Sequence, residues 1–311
     1  MLITVVIPVY RDGVRARSAA EAILKQDLPS GSSVEVILVN DGSGDDTSSQ
    51  LAELDDPRIR IVEMPVNVGR SAARNAGARI AGGDFIVFLD CDCLPKNDSF
   101  IRGHYDHLST GAVASTGNVL GADDDFWSRY QRNSSIRRRQ QHSLGFEFSG
   151  SSQNLAVSSE AFNATGGFDS RYKKYGFEDR DLLIRLASMG RVAWAEKAEV
   201  VHLDPLSMRG VSRKMLEAGG SSSLLFSADH PAAYKALGYA QLDARFHPRT
   251  AWLAPLATAL LPLLSSLVEL VIRIPVPFVI KAGLVTGVSG ISYWIGTVEA
   301  SQHSERPLAR N

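Results

Sequence analysis

The first ninety residues alternate between short apolar segments and helical ones, and this alternation constrains the fold more than any other feature. Apolar segments of strand length occur at residues 3–9, 34–39, 58–62 and 85–89. Helical spacing recurs between them, at residues 16–26, 46–54 and 69–81. Strands separated by helices in this order form right-handed crossovers and a parallel sheet. We therefore expect an α/β fold with a mostly parallel sheet flanked by helices.

Length and charge restrict the function classes. The chain has 311 residues, enough for one large domain or two small ones. It carries 33 Lys and Arg against 34 Asp and Glu, so no excess of positive charge indicates a nucleic-acid partner. The first eight residues lack a basic region and include Pro8, so we expect a first strand there and no signal peptide. Cys91 and Cys93 are too close in sequence for a good disulfide, and we interpret them as small apolar fillers.

Residues 118–202 are less regular. A basic helix is expected at residues 126–144, a strand near residue 154 and a turn at residues 166–169. A helix with one apolar face is expected at residues 178–189, followed by short strands at 192–195 and 198–202. The arginines at positions 129–139 fit either a solvated helix face or a contact with anionic lipid.

The last sixty residues are strongly apolar. Residues 251–272 contain one formal charge, Glu269, and residues 275–295 contain one, Lys281. Each segment is near the length that spans a bilayer. Prolines, glycines and serines within them also fit helices that lie on a membrane or form a dimer. The pattern leaves these alternatives open.

Two carboxylates follow the last strand of the alternating region. Asp90 and Asp92 come directly after the apolar run 85–89, where period-two alternation would place both on one side of the chain. Ligands of open α/β sheets bind at the carboxyl ends of the strands. Paired carboxylates there suit Mg²⁺ or Mn²⁺, and such an ion suits a nucleotide diphosphate. A solvated strand end that is acidic by chance is the alternative.

Further clusters lie where a nucleotide-sugar site would need them. Tyr10 ends the first strand and could hold a base, and Asp41 ends the second, where it could bind a base or ribose or close a turn. Arg70 and Arg74 lie in the first turns of a helix whose N-terminus favours anions. Glu178 and Asp179 open a later helix, where acids either stabilise the helix dipole or supply a general base.

Together these motifs resemble the family 2 glycosyltransferases, which have the GT-A (Rossmann-like) fold, over roughly residues 1–210. The matching segments are residues 6–10, 39–43, 67–77, 88–92, 166–169 and 178–182. The resemblance implies that the nucleotide is bound by Pro8, Tyr10, Asp41, Gly69, Arg70, Arg74 and Asp90. It implies that Asp92 holds Mn²⁺ or Mg²⁺ and that His202 completes the metal or diphosphate site. It also implies that Asp179 is the catalytic base, with Glu178 beside it.

The resemblance predicts an inverting, metal-dependent transferase using a nucleotide-diphosphate sugar, with a UDP-sugar favoured. The expected acceptor is a lipid-linked saccharide or envelope polysaccharide at the cytoplasmic face of the membrane. We expect a catalytic domain at 1–210 (a nucleotide-sugar half at 1–117 and an acceptor half at 118–210), a helical elbow at 211–250 and hydrophobic helices at 251–311. Residues 251–296 would contact the membrane. The alternatives are a polyprenyl-phosphate sugar synthase, a nucleotidyltransferase and a non-catalytic nucleotide-sugar-binding membrane scaffold.

Overall fold

The computed structural model describes residues 1–304, which divide into two compact units. The first unit comprises Met1–Lys173 and Asp179–Asp204. The second comprises Lys174–Glu178 and the chain from Pro205 onward.

An eight-stranded mixed sheet forms the centre of the first unit, in the order β3-β2-β1-β4-β7-β6-β8-β5. The strands are β1 (Leu2–Val9), β2 (Ser33–Asn40), β3 (Ile59–Glu63), β4 (Phe85–Leu89), β5 (Cys93–Pro95), β6 (Ala114–Gly121), β7 (Asn154–Ser158) and β8 (Val192–His202). β1 pairs in parallel with β2 and β4, and β2 with β3, as the alternating pattern predicts. β7 is antiparallel to β4 and β6, whereas β6 and β8 are parallel. The carboxyl ends of β1, β2, β4 and β8 therefore lie along the same side of the sheet.

Helices cover both faces of this sheet. They are α1 (Gly13–Leu24), α2 (Thr47–Ala52), α3 (Arg70–Arg79), α4 (Phe100–Leu108), α5 (Phe126–Ser143), α6 (Ser159–Thr165) and α7 (Glu178–Ala187). The core has two parts, one on each face of the sheet, because successive strand residues point to opposite faces. Val5 packs with residues of α1 and α4, and Val6 packs with residues of α3 and α7. Gly77 allows α3 to approach β1 closely, because a Cβ there would lie 2.5 Å from Cγ1 of Val6.

The middle of the chain differs from the sequence-based expectation. The two short strands expected at 192–195 and 198–202 are one strand, β8, with an irregular register opposite Gly117 and Asn118 of β6. β5, α4 and β6 were not predicted. β6 has the sequence Ala-Ser-Thr-Gly-Asn-Val-Leu-Gly, which lacks a continuous apolar run although Ser115 and Thr116 are buried. Its polar side chains are buried because neighbouring elements satisfy their hydrogen bonds.

A buried histidine is part of this hydrogen-bonding pattern. His104 Nε2 lies 2.8 Å from Asn154 Oδ1, and His104 Nδ1 lies 2.8 Å from Ser115 Oγ. The Asn154 amide nitrogen donates to the carbonyls of Asn118 and Ala198, so its oxygen is the acceptor. Neutral His104 thus donates through Nε2–H and accepts from Ser115 at Nδ1. Burial lowers the pKa of His104 to about 4.

We predict that this histidine makes the first unit less stable in acid. Its ordinary pKa is about 6.5, so the unfolded chain binds the proton more readily between pH 6.5 and pH 4. The contribution of neutral His104 to the free energy of unfolding is therefore complete above pH 6.5. As the pH falls below 6.5, this contribution decreases by up to about 1.4 kcal/mol per pH unit. The free energy of unfolding, measured with urea from pH 7 to pH 4.5, should fall less steeply with decreasing pH for His104→Gln than for His247→Gln, a control at an exposed site. Equal slopes in the two variants would contradict this.

The second unit is helical. Its helices are α8 (Met208–Glu217), α9 (Ser223–Asp229), α10 (Pro231–Ala236), α11 (Ala254–Arg273) and α12 (Phe278–Ser304), with a π-helical segment at Ala218–Ser222 and 3₁₀ turns at Tyr239–Gln241 and Pro248–Leu253. Two helical segments, Pro248–Arg273 and Phe278–Gln302, are long and apolar enough to cross a membrane by length and composition alone.

The C-terminal half of α12 lies inside this unit. A Cβ on Gly219 would lie 2.2 Å from the carbonyl oxygen of Tyr293, so the π-helical segment and α12 meet backbone to backbone. The Tyr293 hydroxyl lies 2.6 Å from the Tyr234 hydroxyl, which donates to Asp243 at 2.6 Å. Arg245 pairs with Asp243 in turn. A buried polar network therefore fixes this half of α12 within the protein.

Candidate active site

Three predicted nucleotide-binding residues lie at the carboxyl ends of adjacent parallel strands. Tyr10 follows β1, Asp41 follows β2 and Asp90 follows β4. Tyr10 is half-exposed, with the Arg11 guanidinium 5.2 Å from its ring centroid. Arg11 donates its backbone N–H to Ser43 Oγ at 2.9 Å, which ties the end of β1 to the loop after β2. Pro8, within β1, is partly buried. This sheet edge is where open α/β folds bind ligands.

Asp41 shapes the loop that leads into α3. Its Oδ1 accepts from the backbone N–H of Val68 at 2.9 Å, and its Oδ2 accepts from Gly69 at 3.0 Å. The turn at the end of β2 is closed instead by Asn40, whose Oδ1 accepts from the Ser43 N–H at 3.3 Å. Gly69 precedes α3 with φ of 94°, a conformation that favours glycine. Asp41, which is buried, therefore fixes the backbone in front of the helix N-terminus, and each of its carboxylate oxygens has a further lone pair.

The two aspartates of the acidic motif have different partners. Asp90 accepts from the Nη2 of Arg74 at 2.5 Å, and Arg74 is only 1% exposed. The Arg74 guanidinium also lies 5.3 Å from the Phe168 ring centroid. This packing holds Arg74 in place, so it can orient Asp90. Arg70, at the start of α3, is exposed.

The prediction that Asp90 and Asp92 lie on one side of a strand is wrong, because both residues come after the end of β4. β4 ends at Leu89, and a turn follows in which the Cys93 N–H donates to the Asp90 carbonyl at 3.0 Å. The turn directs the chain into β5. The cysteines are free thiols, and burial raises the pKa of the Cys93 thiol well above its ordinary value.

β5 brings Asp92 to His202, which is 110 positions later in the sequence. Cys93 pairs with His202 in the antiparallel β5–β8 ladder, and the Leu203 N–H donates to the Asp92 carbonyl at 2.7 Å. Asp92 Oδ2 then lies 3.2 Å from His202 Nε2. His202 is buried, and the Asp92 side chain is partly exposed.

These two side chains fit a hard or borderline divalent cation. Two neighbouring ligands of an octahedral ion with bonds of about 2.1 Å are about 3 Å apart, close to the observed separation. A carboxylate with an imidazole suits Mn²⁺, and Mg²⁺ is often held by one or two carboxylates and substrate phosphates. Within residues 1–302 no group of three or more His, Cys, Asp or Glu side chains could hold a metal. A metal here would therefore complete its coordination with oxygen ligands from water or a substrate.

Three charged residues near Asp92 were missed by the sequence reasoning. Arg15 lies 3.2 Å from Asp12 and 3.4 Å from Asp204. Burial raises the pKa of the Asp12 carboxyl, Arg15 opposes this, and the carboxylates of Asp92 and Asp204 add to the rise. The available signal was positional: Asp12 is two residues after Tyr10, and Asp204 is two residues after His202.

Glu178 and Asp179 open α7, as the sequence predicts. Asp179 is partly exposed, and its Oδ1 accepts from the Arg180 N–H at 2.9 Å. Glu178 is buried. Phe177, directly before the pair, has φ of 69° and stacks on Phe226 with ring centroids 4.7 Å apart. The two acids thus differ in exposure although they are adjacent in the chain.

Comparison with known proteins decides the family. The family model described as glycosyl transferase family 2 matches residues 4–217, more than half of the chain. The chain belongs to glycosyltransferase family 2. The family expectation drawn from the motifs is therefore confirmed.

Individual relatives match part of this family 2 chain. Succinoglycan biosynthesis protein ExoO of Rhizobium meliloti (strain 1021) is 36% identical over 100 residues, which are 32% of this chain and 28% of that protein. The Escherichia coli UDP-Glc:alpha-D-GlcNAc-diphosphoundecaprenol beta-1,3-glucosyltransferase WfgD is 26% identical over 126 residues, 36% of this chain and 49% of that protein. In each case the match spans less than half of the relative.

Solved structures resemble the whole chain at low identity. Mannosyltransferase PcManGT from Pyrobaculum calidifontis, in complex with GDP-Man and Mn²⁺, has a TM-score of 0.63 at 19% identity, covering 98% of this chain and 88% of that chain. Residues 1–349 of S. aureus TarS have a TM-score of 0.52 at 14% identity, covering 99% of this chain and 93% of that chain. Both likenesses concern the fold, and the expected GT-A fold is confirmed.

Proposed function

We propose that this protein transfers a sugar, with inversion, from a UDP-sugar to a lipid-linked saccharide or a growing envelope polysaccharide. The observation that carries the proposal is the pair of Asp92 and His202, set beside Asp90 at the ligand-binding side of the sheet in a family 2 chain. WfgD, whose name gives UDP-Glc and a diphosphoundecaprenol-linked acceptor, supports the donor and acceptor classes. ExoO, named for succinoglycan biosynthesis, supports a polysaccharide product.

The donor nucleotide would occupy the ends of β1, β2 and β4. The Tyr10 ring and Pro8 offer a surface for the base, and the Asp41 carboxylate can accept from the base or ribose. Asp90, oriented by Arg74, would accept from a ribose hydroxyl. Backbone N–H groups after Gly69, together with Arg70, would bind the diphosphate at the N-terminus of α3.

Asp92 and His202 would hold Mn²⁺ or Mg²⁺ against the donor diphosphate. The ion would neutralise the negative charge that develops on the departing diphosphate. The 3.2 Å separation of the two ligand atoms supports this role. Asp12 and Asp204 add negative charge near Asp92, and this charge favours a cation there. Arg15 lies between Asp12 and Asp204 and reduces the repulsion among the three carboxylates.

Asp179 would take the proton from the acceptor hydroxyl as that oxygen attacks the anomeric carbon. A general base must reach the acceptor, and the partial exposure of Asp179 supports it over the buried Glu178. The hydrogen bond from the Arg180 N–H fixes the orientation of the Asp179 carboxyl group. Glu178 would contact the acceptor or the donor sugar.

The proposed location is the cytoplasmic face of the cell membrane. The two apolar helical segments of the second unit support membrane attachment. A lipid-linked acceptor, the class that the name of WfgD gives for that protein, would be presented at the same surface.

Nucleotide preference is the first test. Thermal unfolding with Mn²⁺ and UDP, GDP or dTDP should show the largest rise in melting temperature with UDP, because binding to the folded state alone stabilises it. A nucleotide-sugar panel with Mn²⁺ should then show UDP-sugar turnover. Adding polyprenyl phosphate in one arm and a polyprenyl-diphosphate saccharide in another separates the proposal from a polyprenyl-phosphate sugar synthase. Preference for GDP, or transfer to polyprenyl phosphate alone, would contradict the proposal.

A further inference from the structure

The outer face of α11 and its flanking residues carry a continuous row of exposed aliphatic side chains. The row recurs at alternating intervals of three and four positions, and each member is between 37% and 60% exposed. We call this row the leucine face: Leu253, Leu256, Leu260, Leu263, Leu267, Leu270 and Ile274. Soluble proteins rarely expose so large a contiguous apolar surface without a partner.

The opposite face of α11 is packed on protein. Leu261, Ser265 and Val268 are buried, and Ser265 Oγ lies 3.3 Å from Ser212 Oγ of α8. Glu269 turns inward and accepts from the Met208 N–H at the start of α8. The buried face of α11 thus packs on α8 and α12, and the leucine face is on the other side.

This packing disfavours a membrane-spanning α11. α8 carries Arg209, Arg213 and Lys214, and Ser212 contacts α11 near its middle. If α11 crossed a bilayer, these charges would enter the hydrocarbon core, at about 2.5–3.5 kcal/mol each on insertion scales. A return of α12 across the bilayer is disfavoured as well, because Tyr293 and the residues around it, in the second half of α12, are buried within the second unit.

We propose that α11 lies in the plane of a membrane surface, with its leucine face immersed in one leaflet rich in anionic lipid. The helix ends carry suitable groups for this position. Trp252, in the 3₁₀ turn just before α11, is 77% exposed, and aromatic rings of this kind favour the membrane interface. Arg249 and Arg273 are exposed near the two ends, where they can pair with anionic headgroups.

A second copy of the chain fits this face less well. Two-stranded coiled coils flank their apolar seam with charged residues that remain in water. No charged residue occurs between Arg249 and Glu269, and Glu269 faces α8. The leucine face is bordered instead by small or apolar residues, including Ala259, Pro262 and Ser266. An uncharged border suits lipid.

The proposal specifies how the membrane attachment proposed above is made, and flotation of the full-length protein with vesicles tests it. Vesicles of phosphatidylcholine with about 30% phosphatidylglycerol should carry the protein upward, and pure phosphatidylcholine should carry less. The double variant Leu263→Glu/Leu267→Glu should reduce the bound fraction at least about tenfold. Leu144→Glu, at an exposed leucine of the first unit, is the matched control and should bind like the wild type. Alkaline carbonate should release the bound wild type.

Each contrary result has a distinct meaning. Wild type that does not float with anionic vesicles would overturn the proposal, and wild type that resists carbonate would indicate a spanning segment instead. Sedimentation that shows a wild-type dimer and a monomeric double variant, without vesicle binding, would assign the leucine face to a second copy. UDP-sugar hydrolysis is measured in parallel for the wild type, the double variant and Leu144→Glu. If none of the three hydrolyses a UDP-sugar, the proposed reaction is contradicted, whereas the flotation result still stands.

Discussion

Replacement of Asp179 by asparagine is expected to abolish sugar transfer while nucleotide binding survives. Asparagine has nearly the same shape, and its oxygen can still accept from the Arg180 N–H, so the start of α7 should be preserved. Its side chain cannot take a proton from the acceptor at neutral pH. General-base catalysis contributes typically about 10²–10⁴ in rate, and we expect a loss of at least that size. Transfer is measured as product formed per enzyme, and UDP binding is measured by calorimetry.

The control for this variant is Asp124→Asn, an almost fully exposed aspartate of the same unit. It should retain wild-type transfer, since it removes one negative charge without touching the proposed site. Near-normal turnover by Asp179→Asn would show that another group accepts the proton. A parallel loss of UDP binding would instead indicate that Asp179 supports the donor site.

Replacement of Asp92 by alanine is expected to remove the metal-dependent part of UDP binding. The carboxylate is the harder of the two proposed ligands, and His202 alone would hold Mn²⁺ weakly. We expect UDP affinity with Mn²⁺ to fall at least about tenfold, a loss typical of damage to a metal site. Affinity in EDTA should be unchanged. The backbone bond from Leu203 N–H to the Asp92 carbonyl does not depend on the side chain, so β5 and β8 should stay paired.

Two further variants separate the metal role from general electrostatics. His202→Ala should weaken binding in the same Mn²⁺-dependent way, because it removes the second ligand. Asp12→Asn removes a nearby charge without removing either proposed ligand, and should have a smaller effect. Calorimetric titrations in which Asp92→Ala binds UDP as the wild type does in Mn²⁺ would count against the metal assignment.

The nucleotide half of the fold could be predicted because its pattern is local. β4 is a continuous apolar run, β1 and β2 are mostly apolar, and α3 is rich in alanine, so each element is visible within its own sequence. β5 and β6 could not be predicted in this way. β5 has three residues, and β6 buries polar side chains that are satisfied by residues distant in the sequence, such as Asn154 for Thr116.

The candidate site shows the same limit. Asp90 and Asp92 could be recognised from the sequence. Strand alternation did not predict the turn after Leu89, which gives the two aspartates different partners. His202 could be linked to Asp92 only through the family resemblance, since the β5–β8 register that joins them is a long-range property. Arg15 pairs with Asp204 across 189 positions of sequence, so the position of Asp204 beside Arg15 is also a long-range property.

The apolar C-terminal region illustrates what hydropathy alone leaves open. Its composition fits either a spanning or a surface helix, and only packing distinguishes them. The contact of Ser265 with Ser212, beside the arginines of α8, supports the surface position. Tyr293, in the second half of α12, is buried among residues of the second unit, which hydropathy does not indicate.

The central claim is that this family 2 chain is a metal-dependent, inverting transferase of UDP-sugars. The most direct measurement is UDP release and product structure in one reaction containing an α-linked UDP-sugar, a lipid-linked saccharide and purified full-length protein, with Mn²⁺ or with EDTA. We predict UDP release coupled to a β-linked product in Mn²⁺, detected from the anomeric coupling in proton spectra, and neither in EDTA. An α-linked product, or equal turnover in EDTA, would contradict the account.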